Sequence, residues 1–264
     1  MDLTDAYENG AHIPGGTAYP AKWQAAAEAF RAGFEGAGHC DLSYGPGARH
    51  RYDLFAPQGA AAGLLVFIHG GYWKATSKDL WSHLAAGPLA RGWAVAMPSY
   101  TLAPDAHISE ITREIALAVE AAARGFTGPV VITGHSAGGH LTARMRCKGV
   151  LPDETAAMIQ RVVPISPLSD LRPLMQTEMN AVLRIDPTEA LAESPALLPD
   201  LHDIDTHVWV GGDERPVFLD QARWLSEAWG AGLTIDAGKH HFDVIEGMEQ
   251  ADSALMSALL DGVT

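Results

Sequence analysis

The 264-residue chain predicts a single α/β domain, a mostly parallel central sheet with helices on both faces. Three observations lead there. Short apolar runs alternate with longer amphipathic segments along most of the chain, the pattern of repeated strand–helix–strand units. The runs Leu64–Ile68 and Trp93–Met97 are continuously apolar, as strands covered on both faces must be. Hydrophobic residues make up 47% of the chain and charged residues 19%, enough to fill one core at this length.

The elements follow in order. Residues 1–19 carry no regular pattern. Pro20 opens a helix in which Trp23, Ala27, Phe30 and Phe34 recur at helical spacing. Core packing is expected of that stripe, with a wall of a ligand pocket as its minority role. Two strands are predicted near His39–Tyr44 and Arg49–Ala56. In the second, Tyr52, Leu54 and Ala56 alternate with Arg51, Asp53 and Phe55, which predicts a half-exposed edge strand. After the strand Leu64–Ile68, a helix is predicted over Ser77–Arg91, stopped by Gly92. Strand Trp93–Met97 leads to an alanine-rich helix over Ile108–Ala123. Strand Val130–Thr133 leads to a helix over Ala137–Lys148, and Val162–Ile165 is a further strand.

The stretch 167–205 has no strand character and holds prolines at 167, 173, 187, 195 and 199. Ordinary strand–helix connections run about 2–6 residues, so this is an insertion whose short helices are expected to cap a site. Val208–Val210 is a strand, Pro216–Trp229 a helix and Leu233–Ile235 the last strand. Asp243 and Glu246 fit the N-cap and N3 positions of a final helix. The domain therefore spans 1–264, with 1–38 as an N-terminal extension and helix and 167–205 as a cap-like insertion.

Composition narrows the function. A net charge of −14 opposes binding to nucleic acid, which needs a basic stripe, and to an anionic membrane surface. No apolar stretch approaches the roughly 18 residues of a membrane span. The acidic start Met1-Asp2-Leu3-Thr4-Asp5 has no apolar core of a secretory signal, so a cytoplasmic location is expected. Cys40 and Cys147 show neither metal spacing nor a disulfide framework and are expected to be small buried hydrophobes. The 12 histidines include no H-E-x-x-H or clustered ligand spacing, so a catalytic metal is not expected. The expected partner is a small-molecule substrate, with a homodimer left open.

The chemistry concentrates where ligands bind in such sheets, beyond the carboxyl ends of the strands. Gly134-His135-Ser136-Ala137-Gly138 follows an apolar strand and precedes a helix. That is the G-x-S-x-G turn, which lifts a serine hydroxyl above the sheet and needs residues nearly free of side chains on either side. Ser136 is the candidate nucleophile. His69-Gly70-Gly71-Tyr72-Trp73 follows an earlier strand and offers backbone N–H groups for a developing oxyanion. The candidate donors are Gly71, Tyr72 and Ala137, with His69 bracing the loop. A base for Ser136 is expected after the last strand, where His241 is favoured over His240. An orienting acid is expected after Val208–Val210. There Gly211-Gly212-Asp213-Glu214 offers two carboxylates, and counting three residues from the first glycine favours Glu214 over Asp213. Asp170 is expected to cap a helix.

Together these segments resemble the α/β-hydrolase fold over nearly the whole chain. His69-Gly70-Gly71-Tyr72, Tyr100-Thr101-Leu102-Ala103-Pro104 and Gly134-His135-Ser136-Ala137-Gly138-Gly139 are similar to the hormone-sensitive-lipase-like esterases. The His-Gly-Gly-Tyr-Trp variant, Arg215-Pro216-Val217-Phe218 and His241-Phe242 are similar to the kynurenine formamidase (arylformamidase) branch of that superfamily. Relatives of the eukaryotic type carry an aspartate where the spacing here points to Glu214. The resemblance implies cofactor-free hydrolysis of N-formyl-L-kynurenine to L-kynurenine and formate, a step in tryptophan catabolism. By analogy, Trp73 with Tyr72 would give an aromatic wall, and Tyr100 could line the pocket. The alternatives are a carboxylesterase on short-chain or aryl esters with the same triad and, more distantly, a non-catalytic binding module on a hydrolase scaffold.

Overall fold

The computed structural model describes residues 2–264. Eight strands form one sheet: β1 (Ala37–Ser43), β2 (Arg51–Ala56), β3 (Leu64–Ile68), β4 (Ala94–Pro98), β5 (Val130–His135), β6 (Ile159–Ile165), β7 (Asp205–Gly211) and β8 (Gly232–Asp236). Their spatial order is β1-β2-β4-β3-β5-β6-β7-β8. Strand β2 runs antiparallel to both β1 and β4, and every pairing from β4 to β8 is parallel. The parallel strands therefore all end at one edge, which collects the loops after β3, β5, β7 and β8.

The helices are α1 (Thr4–Tyr7), α2 (Tyr19–Gly33), α3 (Ala86–Ala90), α4 (Ile108–Ala123), α5 (Ala137–Arg146), α6 (Asp153–Ala156), α7 (Asn180–Leu183), α8 (Pro187–Ala192), α9 (Pro216–Trp229) and α10 (Ala254–Leu260). Side chains of β3 show how they divide. Leu64, Val66 and Ile68 point to the face holding Ile108, Ile111 and Ile115 of α4, Leu141 of α5 and Phe218 of α9. Leu65 and Phe67 point to the opposite face, against Trp81, Leu84 and Leu255, with Trp23 and Phe30 of α2 packed on the outside. All five β3 residues are buried, and each such side chain favours the fold by about 1.5–3 kcal/mol over exposure.

Several expectations need correction. Strand β2 is not at the edge. It lies between β1 and β4, and β1, mostly exposed, is the edge strand on that side, with β8 at the other edge. The alternation read along β2 reflects Asp53, which turns into the protein to meet Lys78 at 2.8 Å. Lys78 also reaches Asp41 and Asp79, each at 2.9 Å. Burial alone would lower the Lys78 pKa, but hydrogen bonds to these three carboxylates hold it above its ordinary value.

That buried ammonium also helps explain why 77–91 is not one helix. The segment breaks into single turns at Lys78–Leu80 and Ser82–Ala85 and the short α3. Gly87 of α3 packs so tightly that a β-carbon there would stand 2.4 Å from the Met248 carbonyl. Asp243 does not cap the final helix. Its carboxylate accepts the His240 N–H at 2.7 Å, and α10 starts later, capped by Ser253. Cys147 is buried as expected, but Cys40 is exposed on β1.

Two segments close over the carboxyl edge. The 167–205 stretch folds into single turns at Arg172–Gln176 and Pro195–Leu197 around α7 and α8. Buried Glu193 ties it down, accepting from Arg144 at 3.0 and 3.2 Å and from the Thr112 hydroxyl at 2.7 Å. Asp170 sits at the start of the Arg172–Gln176 turn, where it accepts the Arg172 N–H at 3.0 Å. The first residues of the chain lie beside this insertion. Leu3 N–H donates to the Gln176 carbonyl at 2.9 Å, and Tyr72 and Gln221 hold the Tyr7 carbonyl and hydroxyl at 2.6 and 3.0 Å. Among the described residues no helix is long and apolar enough to cross a membrane.

Candidate active site

Ser136 joins β5 to α5 with φ 59° and ψ −116°, a conformation that side-chain-bearing residues avoid at a cost of about 1–3 kcal/mol. The turn survives because its flanks are bare. A β-carbon on Gly138 would stand 1.9 Å from the Ile68 carbonyl, and one on Gly134 would stand 2.5 Å from the Gly138 carbonyl. Two backbone bonds fix the turn: Ser136 N–H donates to the Ile165 carbonyl at 2.9 Å, and its own carbonyl accepts His140 N–H at 3.0 Å.

His241, on the loop after β8, lines the same cavity as Ser136. Its Nδ1 lies 2.5 Å from Glu214 Oε2, the geometry of an Nδ1–H donating to a carboxylate. That arrangement places the ring's lone pair on Nε2, the tautomer able to accept a proton. His135 and Phe218 pack against the ring, with centroids 4.6 and 4.3 Å away.

Of the two carboxylates after β7, it is Glu214 that meets His241. The turn brings the Glu214 N–H back to the Gly211 carbonyl at 3.4 Å and buries the side chain. The Gly211 N–H donates to Glu214 Oε1 at 2.8 Å, and the Ser166 hydroxyl donates to the same oxygen. Asp213 is turned outward and exposed, with its N–H donating to the Lys239 carbonyl at 2.9 Å. The neighbouring His240 is turned to Tyr19, 3.2 Å from its hydroxyl.

The loop after β3 runs through left-handed backbone at Gly71 (φ 105°), Tyr72 (48°) and Trp73 (54°). Lys74 and Ala75 donate their N–H groups to the Gly71 carbonyl at 3.1 and 3.0 Å. Among the described residues, the N–H groups of Gly71, Tyr72 and Ala137 donate to no backbone acceptor outside the helices and strands. Gly71 and Tyr72 border the cavity, and Ala137 is the first residue of α5, next to Ser136.

His69 braces the loop. Its Nδ1 lies 2.8 Å from the Gly70 carbonyl and 3.0 Å from Thr76 Oγ1, and Tyr100 stacks on the ring at 4.2 Å. Burial lowers the His69 pKa to about 4, so the ring is neutral at pH 7.

Trp73 and Tyr100 do not form the pocket wall expected of them. Both are fully buried. Trp73 packs edge-on against His140 at 5.1 Å, and Tyr100 donates its hydroxyl to the His69 carbonyl at 3.0 Å. Two consecutive left-handed residues turn Trp73 under the loop, a reversal that spacing does not reveal. The aromatic wall is built by Trp23, Trp81 and Phe242, with Trp23 centroids 4.7 Å from Trp81 and 5.2 Å from Phe242. Trp23 was legible as the minority role of its helical stripe, whereas Trp81 stood unassigned inside a predicted helix. Ser166 carried no motif at all; its only signal was its place at the end of a strand.

The cavity they enclose measures about 390 Å³, within the range of small-molecule sites. Met179 of the insertion borders it, as do Glu8, Asn9, Thr17 and Lys74.

A family model of the alpha/beta hydrolase fold matches residues 65–215. The chain belongs to that family. It is 26% identical over 236 residues to a kynurenine formamidase of Danio rerio, a match covering 83% of this chain and 80% of that one. A kynurenine formamidase of Drosophila melanogaster is 27% identical over 234 residues, covering 80% and 77%. Among solved structures, a proposed thioesterase from Silicibacter sp. TM1040 is 54% identical with a TM-score of 0.96, covering 98% of this chain and 99% of its own. The chain is accordingly a hydrolase of the alpha/beta hydrolase fold, similar to these formamidases.

Proposed function

We propose that the protein is a serine hydrolase that cleaves an aryl formamide, N-formyl-L-kynurenine first among them, into the aryl amine and formate. The observation that carries this reading is that Ser136 and His241, the latter held by Glu214, line one cavity whose wall is aromatic. Similarity to named formamidases over most of the chain supports the choice of acyl group.

In this reading the Ser136 hydroxyl attacks the formyl carbon while His241 Nε2 takes its proton. Glu214 holds the opposite N–H of the ring and stabilises the imidazolium. The N–H groups of Gly71, Tyr72 and Ala137 receive the oxyanion. His241 then returns the proton to the anilide nitrogen, the C–N bond breaks, and a formyl ester remains on Ser136. Water, deprotonated by His241, attacks that ester; formate leaves and the serine regains its proton. The net reaction consumes one water and needs no other group.

A second reading keeps the mechanism and changes the leaving group to an alcohol or thiol. It is favoured by the 54% identical structure, a proposed thioesterase. The deciding experiment is kcat/KM on N-formyl-L-kynurenine, p-nitrophenyl acetate and S-phenyl thioacetate, for wild type and Ser136→Ala. The formamidase reading predicts clear preference for the formamide and its loss in Ser136→Ala. Turnover of only the ester or thioester would transfer the site to the second reading.

A further inference from the structure

The cavity carries polar groups that the hydrolytic chemistry does not use. Asn9 is only 6% exposed, and its Oδ1 has no hydrogen-bond partner among the described residues. A buried acceptor left unpaired is costly, and native proteins rarely keep one without reason. Asn9 borders the cavity, and a rotation of its side chain would turn that oxygen, closed to solvent in this structure, toward a ligand there.

Its neighbour Glu8 is on the same wall. One carboxylate oxygen of Glu8 accepts the Gly10 N–H at 2.8 Å, which holds the side chain in place. From the loop after β3, Lys74 brings an exposed ammonium to the same cavity. The two segments are joined, because the Tyr72 hydroxyl donates to the Tyr7 carbonyl at 2.6 Å. The N-terminal segment is anchored a second time by Arg215, beside Glu214, whose guanidinium meets Asp5 at 2.7 Å. The rim therefore presents an acceptor, a negative charge and a positive charge on fixed supports, close to an aromatic slot.

We infer that Asn9, Glu8 and Lys74 bind the α-amino-acid head of an aryl substrate, with its ammonium on Asn9 Oδ1 and Glu8 and its carboxylate on Lys74. This rests on the proposed aryl formamidase reading and narrows it. Opposite charges at one rim match a zwitterion better than a simple anion, cation or neutral ester. A substrate without the head leaves the Asn9 oxygen unpaired, which is how a site built around polar groups rejects an analogue lacking them.

The test compares N-formyl-L-kynurenine with N-(2-acetylphenyl)formamide, the same aryl formamide without its head. The readout is the ratio of the two kcat/KM values in wild type, Asn9→Ala, Asn9→Asp and Lys74→Met. Wild type should favour the head-bearing substrate, chiefly through KM. Asn9→Ala and Lys74→Met should each reduce that ratio by about tenfold or more. Asn9→Asp, which keeps an acceptor oxygen, should restore it. A wild-type ratio near one, or a ratio within twofold of wild type in both loss variants, overturns the inference. Should Asn9→Ala fail to fold, the ratio in the exposed Lys74→Met decides by the same thresholds.

A separate arm measures binding of L-kynurenine, which carries the head but no formyl group, to Ser136→Ala by calorimetry. If neither formamide is hydrolysed, the formamidase reading falls and this arm decides the head site alone. Binding weakened about tenfold by an added Asn9→Ala or Lys74→Met sustains it, and no binding, or binding unchanged by both, overturns it.

Discussion

Replacing Ser166 with alanine tests whether the His241–Glu214 pair depends on a residue that touches no substrate. Glu214 is buried and has three partners: the Ser166 hydroxyl, the Gly211 N–H and His241. The substitution removes one donor to a charged acceptor. Hydrogen bonds of that kind are worth about 1.5–3 kcal/mol, and Ser166 is fully buried, so water is poorly placed to replace the hydroxyl. A stability loss of about 2 kcal/mol is expected, read as a lower urea midpoint with unchanged m-value.

The remaining two partners keep Glu214 near His241, but less firmly, so kcat should fall about tenfold while KM holds. The assay is p-nitrophenyl acetate hydrolysis, which does not depend on the identity of the natural substrate. Ser166 also sits at φ 47°, so Ser166→Gly separates lost hydroxyl from backbone strain, because glycine relieves the strain and still lacks the donor. In a double-mutant cycle with Glu214→Gln the two losses should not add, since both act through one carboxylate. Wild-type kcat in Ser166→Ala, or strict additivity in the cycle, would refute the reasoning.

Two further outcomes follow. Glu214→Gln should lower kcat by about 10⁴, the scale seen when a triad carboxylate is lost, whereas exposed Asp213→Asn should stay within twofold; steady-state kinetics on one ester decides. Acid should destabilise the fold over a defined window. Burial lowers the pKa of His69, His83 and His140 to about 4 and that of His135 well below its ordinary value of 6.5. Between about pH 6.5 and 4 the unfolded chain binds more protons than the folded one, so stability rises with pH there and is lost as pH falls through it. Each histidine contributes up to about 1.4 kcal/mol per pH unit, and a calorimetric Tm that stays flat from pH 7 to 4.5 would contradict the burial of these rings.

Much of this protein was legible in its sequence because the signals were local. Strand β3 and helices α4 and α9 match their predicted limits, since a continuous apolar run or a long periodic one with clear ends leaves little choice. The turn at Ser136 was legible for the same reason: its glycines meet the Ile68 and Gly138 carbonyls too closely for any side chain. Counting from Gly211 also favoured the carboxylate that reaches His241.

What sequence did not reveal was direction. Trp73 and Tyr100 stand where pocket residues stand, yet left-handed backbone turns Trp73 into the core and the His69 ring holds Tyr100 there. Trp81, Ser166 and Asn9 matter only through neighbours far away in the chain, and no periodicity encodes such meetings. The broken 77–91 segment shows tertiary contact overriding helical pattern, with Lys78 drawn to Asp53 and Gly87 pressed on the Met248 carbonyl.

The most direct test of the account is covalent labelling by a fluorophosphonate, followed by intact-mass measurement and peptide mapping. A single phosphonyl adduct on Ser136, abolished in Ser136→Ala and strongly slowed in His241→Ala, is the predicted result. An unlabelled wild type, or an adduct on another residue, would contradict the assignment of Ser136 as nucleophile and with it the proposed mechanism.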